Sequence, residues 1–364
     1  MSILYDEGQQ AIANESRRVL DARVSKDRLL GLLECVGEHD AVFWNTAVEQ
    51  GWTGLAIGEE YGGLGLGLIE LGLIAQAAGA ATSGAPFLTV GYGAAHAIEM
   101  TVDAALKAKW LPRLATGEVL ATVAFGEGAS PLPPLASATF ANGKLTGLKD
   151  GVTAGLKADV ALVWANFDGQ PALVLAELAE STRTAVESFD NSRLFADLSF
   201  SDVPAVLIAS GDAARSLALD VLARMAVVTA HEQVGGAEAL LFIARDYANT
   251  RRAFGQLIGA FQSVKHRIAE MYGLVEIARA NCIHAAASAG HPEFLIAAAD
   301  ARISATEAYD TAARDCVQTH GGIGVTWEQG LHLHMRRTRS LAIEQGNMLF
   351  WEDLLVEQLT GVAA

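Results

Sequence analysis

The chain has 364 residues, 51% hydrophobic and 19% charged, which is enough apolar side chain for a core shared by two or three domains and excludes a disordered chain. A formal net charge of -16, with no basic stripe to offset it, excludes nucleic acid and anionic membrane surfaces as expected partners. The opening MSILYDEGQQ has no basic stretch followed by an apolar one, so no secretory signal is read there and a cytoplasmic location is expected.

From Asp6 to about Thr116 the pattern is helical, with amphipathic runs at Phe43 to Gly51 and Ala104 to Leu114 separated by Gly-rich breaks. Leu64 to Leu88 is the most apolar stretch, but Glu70 and Gln76 interrupt it short of the ~20 apolar residues a membrane span requires. A buried Ala/Gly-rich helix is the expectation there. Between about Gly117 and Ile208 the character changes. Ala141-Asn142-Gly143-Lys144 is a hairpin turn signal, and Val160 to Ala165 and Ala172 to Ala176 read as strands. Pro131, Pro133 and Pro134 deny helix to their stretch and mark the boundary after the first helices.

Helical periodicity returns from Asp212. Ala213 to Asn249, Ala260 to Ala289 and Glu293 to His320 are each long enough for the antiparallel helices of a bundle. The expected segments are a helical one over 1–117, a β one over 118–210 and a helical bundle over 211–364. Cys35, Cys282 and Cys316 are too far apart for a disulfide framework or metal motif and read as buried small apolar residues. His332 and His334, at i and i+2, would point to different faces of a helix; no metal site is expected. No repeat at solenoid periods and no low-complexity tail is present, so function has to come from local constellations.

Two such constellations stand in the C-terminal third. One is Arg251-Arg252-Ala253-Phe254-Gly255, followed by Ile258, Phe261, Gln262, His266, Ala269 and Met271. The other is Gln318-Thr319-His320-Gly321-Gly322-Ile323-Gly324, followed by Thr326, Glu328 and Arg336. A guanidinium is a rigid fork of donors suited to a pyrophosphate, and paired glycines let backbone approach a ligand closely. Taken singly, Arg251 reads equally as a solvated helix-end cation, and Gly321 to Gly324 as a turn between helices. Together and in this order, they resemble the acyl-CoA dehydrogenase family. Gly51-Trp52, Glu59-Glu60-Tyr61-Gly62-Gly63-Leu64-Gly65 and Trp110-Leu111-Pro112 extend the resemblance along the whole chain.

The resemblance implies a mostly α, α+β fold with a helical N-terminal domain, a β-barrel-like middle and a C-terminal four-helix bundle, assembled as an oligomer. It implies FAD as cofactor, an acyl-CoA as substrate and an electron-transfer acceptor. In the family, the C-terminal positions matching Arg251, Phe254, Gln262, Gln318, Gly321 and Gly322 reach across a dimer interface to the adenine and pyrophosphate end of the neighbouring subunit's FAD. Thr153 matches a residue on the flavin-ring side.

The family's reaction removes a thioester α proton with a carboxylate while hydride passes to the flavin. In many members that carboxylate is a Glu directly before a Gly; the matching position is Gln345, before Gly346, and an amide cannot take the proton. Other members place the Glu ten residues before the glycine matching Gly235, where this chain has Met225. The Asp and Arg that grip the CoA portion fall on Ala223 and Ala226, and the Trp beside the flavin ring falls on Gly151. The family's Thr-x-Gln pair falls on Asn347 and Leu349, and the loop Phe125-Gly126-Glu127-Gly128-Ala129 matches the flavin-contact loop only loosely.

No catalytic residue is therefore assigned. What is retained serves a neighbour's cofactor and what is lost serves this chain's own, so the expectation is the non-catalytic subunit of a heteromeric acyl-CoA dehydrogenase. Some heteromeric members act on bulky, steroid-derived acyl-CoAs. Two alternatives stay open: a homodimer or homotetramer with Glu344 or another Glu (or Asp220, Glu232, Glu238 on the first bundle helix) as base, and a helical scaffold without FAD. Against Glu344, one residue of helical shift turns a side chain by roughly 100°.

Overall fold

The computed structural model describes residues 5–84 and 86–361. Met1 to Leu4, part of the stretch read for a secretory pattern, lie outside the described residues, as does Ala85 in the apolar stretch.

Helices form where caps and apolar spacing coincide. α1 (Glu7–Arg23) opens with a capping box, in which Asp6 accepts from the Gln9 N–H and the Gln9 side chain accepts from the Asp6 N–H. α2 (Lys26–Leu32) follows. Asp40 caps α3 (Ala41–Glu49), and Asp103 caps α6 (Ala104–Ala115) through the N–H groups of Ala105 and Leu106. The stretch from Leu64 to Leu88 holds not one helix but two, α4 (Leu68–Ala80) and α5 (Phe87–Met100). The chain leaves α4 through Thr82 and Gly84, both at positive φ (49° and 133°), which a continuing helix cannot contain.

The β segment is a barrel. β1 (Ala121–Ala124), β2 (Thr139–Ala141), β3 (Lys144–Val152), β4 (Val160–Phe167), β5 (Gln170–Glu177), β6 (Thr182–Ala185) and β7 (Ala196–Ser210) form one seven-stranded sheet. The pairings β4–β5, β5–β7, β7–β3, β3–β2 and β2–β4 close it on itself, with β1 parallel to β4 and β6 on β7. Asn142 and Gly143, at φ 51° and 74°, make the expected turn between β2 and β3. Leu145, Val163, Val174, Leu198 and Phe200 fill the interior. The three prolines lie between β1 and β2, inside the β segment, where the Pro133 carbonyl accepts from Trp164 Nε1 at 2.9 Å; they do not mark its beginning.

α7 (Gly211–Thr250) is 40 residues long. It is followed by a small hairpin, β8 (Arg252–Ala253) and β9 (Gln256–Leu257), then α8 (Gln262–Ala287), α9 (Phe294–His320), α10 (His332–Leu341) and α11 (Met348–Thr360). The expected C-terminal helices are all present. By contacts the chain parts into two compact units: residues 5–33, 68–84 and 226–361 in one, and 34–67, 86–225 in the other.

In the first unit, small residues set the packing. A Cβ on Gly235 of α7 would lie 1.8 Å from the Gln76 carbonyl of α4, and one on Gly79 would lie 1.8 Å from the Glu232 carbonyl, so the two helices touch backbone to backbone. α9 buries Ala297, Ala301, Ala305, Ala308 and Ala312. Arg337 of α10 pairs with Glu232 at 2.8 Å and donates to the Ser83 carbonyl, tying the turn after α4 to residues 254 positions away. Cys282 and Cys316 are buried as expected; Cys35 is exposed, in the turn after α2. Among the described residues, no helix is long and apolar enough to cross a membrane.

Candidate functional site

The hairpin β8–β9 is tied to the end of α7: the Arg251 N–H donates to the Tyr247 carbonyl at 2.8 Å, and the Ile258 N–H donates to the Arg251 carbonyl at 2.9 Å. At its tip Phe254 takes φ 51° and Gly255 φ 82°. Phe254 is 95% exposed, and the Phe261 ring stands edge-on to its ring at 6.2 Å. A non-glycine residue in left-handed backbone, holding an aromatic ring in water, is a costly arrangement characteristic of ligand and partner sites.

Beneath the hairpin lies a groove of about 410 Å³. Phe254 and Ile258 form one wall, Val264 and Arg267 of α8 a second, and Gln318 and Thr319 of α9 a third. Of the residues assigned to the nucleotide from sequence, Phe254 and Gln318 meet in this groove. Gln262 is the first residue of α8, and Gly321 and Gly322 form the turn beyond α9. Arg251 is exposed at the hairpin base and does not line the groove. A Cβ on Gly321, Gly322 or Gly255 would meet nothing within 4 Å, so the backbone at these three glycines is open to an approaching ligand. Apolar walls, amide and hydroxyl groups and one guanidinium fit the adenosine and pyrophosphate end of a dinucleotide.

Sequence reasoning missed Arg267. Its NH1 donates to Asp315 Oδ1 of α9, a partner 48 residues away that no local motif announces.

The position matching the family's base is different. Gln345 has φ 56° and Gly346 φ 104° in the turn between α10 and α11. The Gln345 side-chain carbonyl accepts from the Thr229 hydroxyl of α7 at 2.9 Å. Glu344 is buried, and its backbone carbonyl accepts from Arg302 NH2 at 3.0 Å. Arg302 is itself buried, bonded to Gln233 Oε1 at 2.6 Å, Thr306 Oγ1 at 2.8 Å and the Leu341 carbonyl. Burial lowers its pKa to about 10, and the nearby Glu344 carboxylate opposes that shift.

The other carboxylates considered as bases are engaged in ion pairs. Glu232 pairs with Arg337, and Glu238 with Arg279 at 2.6 Å and Arg17 at 3.1 Å. Asp220 lies 2.6 Å from His96 Nε2 and 2.8 Å from Arg224 Nε; burial raises its pKa, but these two partners win and hold it below the usual carboxylate range. Met225, Ala223 and Ala226 are buried, and the Met225 thioether packs where Gly93 of α5 leaves room. His334 is a core residue, its Nδ1 2.9 Å from the Tyr309 hydroxyl.

In the barrel unit, Thr153 is buried directly after β3 and its carbonyl accepts from the Thr122 hydroxyl at 2.6 Å. Gly151 is exposed at φ 55°, its N–H donating to Asp197 at 2.8 Å. The loop from Phe125 to Ala129 is held by Lys149, whose buried ammonium donates to Glu127 at 2.7 Å and to the Phe125 carbonyl at 3.2 Å.

The profile of the acyl-CoA dehydrogenase N-terminal domain matches residues 6–118, and that of the acyl-CoA dehydrogenase C-terminal domain matches residues 215–349. The chain belongs to the acyl-CoA dehydrogenase family. FAD is that family's cofactor. Acyl-CoA dehydrogenase IpdE2 of Mycobacterium tuberculosis is 32% identical over 307 residues, 84% of this chain and 82% of the relative. Among solved structures, a variant of the Tcur3481-Tcur3483 steroid ACAD superposes with a TM-score of 0.87 at 26% identity, covering 98% of both chains. The ChsE4-ChsE5 complex from Mycobacterium tuberculosis has the same fold, with a TM-score of 0.89 at 24% identity over 100% of both chains.

Proposed function

We propose that this chain is the non-catalytic subunit of a heteromeric, FAD-dependent acyl-CoA dehydrogenase. The observation that supports the reading is Gln345: an amide, held by Thr229, occupies the position that the resemblance matches to the reaction's carboxylate. When bound, FAD supplies the hydride acceptor for the thioester's β carbon. The groove below Phe254 supports a role toward the adenosine end of a FAD whose ring lies with another chain; Arg251, Gln262, Gly321 and Gly322 surround that role, and Thr153 is a residue for the ring side. The catalytic base and the acyl pocket then belong to the partner subunit.

Exposed apolar side chains support association. Phe254, Ile323, Val325 and Trp327 all lie in the hairpin or just beyond α9, where a monomer would leave them in water. Two of the structures this chain resembles are named as pairs of gene products, one of them a steroid ACAD, which favours a bulky steroid-derived acyl-CoA as the pair's substrate. An electron-transfer acceptor would reoxidise the flavin, and the cytoplasm is the proposed compartment.

The test is to express the chain alone and together with a neighbouring acyl-CoA dehydrogenase gene product, then to measure bound FAD and acyl-CoA-dependent flavin bleaching. Bleaching only in the co-expressed sample is the expected result; full bleaching by this chain alone overturns the proposal.

A further inference from the structure

The groove beneath the β8–β9 hairpin contains a charged residue that neither the family motifs nor its own sequence neighbourhood assigns. Among the groove's lining residues Arg267 alone carries a charge. It stands on the face of α8 that also presents Ser263, four residues earlier. Opposite, α9 lines the groove with Gln318 and Thr319 and, four residues before Thr319, carries Asp315, which pairs with Arg267. Two helical faces therefore converge on one cleft, roofed by the Phe254 and Phe261 rings.

Asp315 sets how Arg267 is used. Its carboxylate is more buried than the guanidinium (15% against 41% exposed) and accepts from NH1. One arm of the fork is thereby fixed, and its other N–H groups make no hydrogen bond among the described residues. A guanidinium locked along one edge presents a pre-organised set of donors along the other, the geometry that suits a phosphate or pyrophosphate. The groove lies at the start of α8, whose first N–H groups and positive dipole end favour an anion in the same place.

We infer that Arg267, positioned by Asp315, is a specificity-determining residue of this groove, directing its remaining N–H donors to the diphosphate of an adenosine nucleotide. The inference rests on the reading that this face completes a partner's FAD site, and it names the contact that makes the groove prefer a diphosphate over a bare nucleoside. Arg251, to which the resemblance gives this role, stays outside the groove.

A fluorescent N-methylanthraniloyl derivative of ADP, titrated into the full-length chain and followed by polarisation, provides the test, with the matching adenosine derivative as comparison. The wild-type protein is expected to bind the ADP derivative about tenfold or more tightly than the adenosine one, the scale of a charge-assisted hydrogen bond. Arg267→Gln should collapse that ratio toward one, whereas a purely structural role would weaken both ligands equally and leave the ratio intact. Arg267→Lys, which keeps the charge and loses the fork, should retain only part of the preference; it also serves if the Gln variant does not fold. An unchanged ratio in the variants, or a wild-type chain that shows no preference for the diphosphate, overturns the inference. The partner reading fails on a different result, the absence of FAD from every co-expressed complex.

Discussion

The hydroxyl of Thr229 donates to the side-chain carbonyl of Gln345 across 2.9 Å, and this bond joins α7 to the turn that the resemblance matches to the base-bearing turn of many family members. Gln345 keeps a left-handed backbone, φ 56°, directly before a glycine at φ 104°. Under the proposed reading, the turn that would aim a base is kept, while an amide replaces the group that would accept a proton. Restoring the carboxylate is therefore not expected to restore catalysis, because the positions that the resemblance matches to the family's CoA-gripping residues and alternative base are the apolar Ala223, Ala226 and Met225. Gln345→Glu should fold and still give no acyl-CoA-dependent flavin bleaching in the isolated chain. Measurable turnover by that variant would show that one residue alone separates this chain from an active enzyme.

Thr229→Val removes the donor and leaves a half-buried amide carbonyl to find water. A loss of about 1 kcal/mol in urea unfolding is expected. Because this chain is read as contributing no base, kcat of the assembled complex should stay within twofold of wild type, roughly the precision of such comparisons.

Gly235 and Gly79 allow α4 and α7 to touch, with carbonyl oxygens 1.8 Å from where a Cβ would stand. Gly235→Ala has no flexible side chain to displace, only backbone, so the helices must separate. Destabilisation of about 3 kcal/mol, or failure to fold, is expected. A melting temperature equal to wild type would contradict the packing described.

Arg302 holds four acceptors at once, among them the Leu341 carbonyl at the end of α10 and the Glu344 carbonyl in the turn after it. Arg302→Met keeps volume and removes every donor. A cost of about 3 kcal/mol or more is expected from the buried acceptors left behind, together with faster hydrogen exchange in the turn from 341 to 347, which loses its anchor.

Burial lowers the pKa of His231 to about 4 and that of His334 to about 3, well below the unfolded value near 6.5. The unfolded chain therefore binds more protons than the folded one in this window, and stability rises with pH. The contribution is complete above about pH 6.5 and is lost as pH falls toward 4 and then 3, at about 1.4 kcal/mol per pH unit for each ring. Denaturant unfolding at a series of pH values should show this slope, and His231→Leu should flatten it by one proton's worth. An unchanged slope would place the proton uptake elsewhere.

Local patterns were the most legible part of the chain. The Asn142-Gly143 turn follows from two residues, and α7, α8 and α9 follow from unbroken helical periodicity. Contacts between distant residues were not legible. Between Leu64 and Leu88 the helix-stop signals Ser83-Gly84 and Pro86 stand in the sequence, but the Arg337 side chain of α10 that holds the turn after α4 does not show there. The closing of the barrel depends on β2 meeting β4 at one residue pair, Thr139 and Asn166, and on β1 running parallel to β4. At the candidate site, Phe254 and Gln318 were visible because short motifs carry them. Arg267 was not, because its meaning lies in Asp315 on another helix. The residue type of Cys35 predicts burial, whereas its position in an exposed turn decides otherwise.

The most direct test of the division of labour is the number of FAD molecules per chain in the purified co-expressed complex, measured by flavin absorbance against protein concentration. One FAD for every two chains is expected, with bleaching by acyl-CoA abolished when the partner's own carboxylate is replaced. One FAD per chain, with this subunit's flavin bleaching independently, would contradict it.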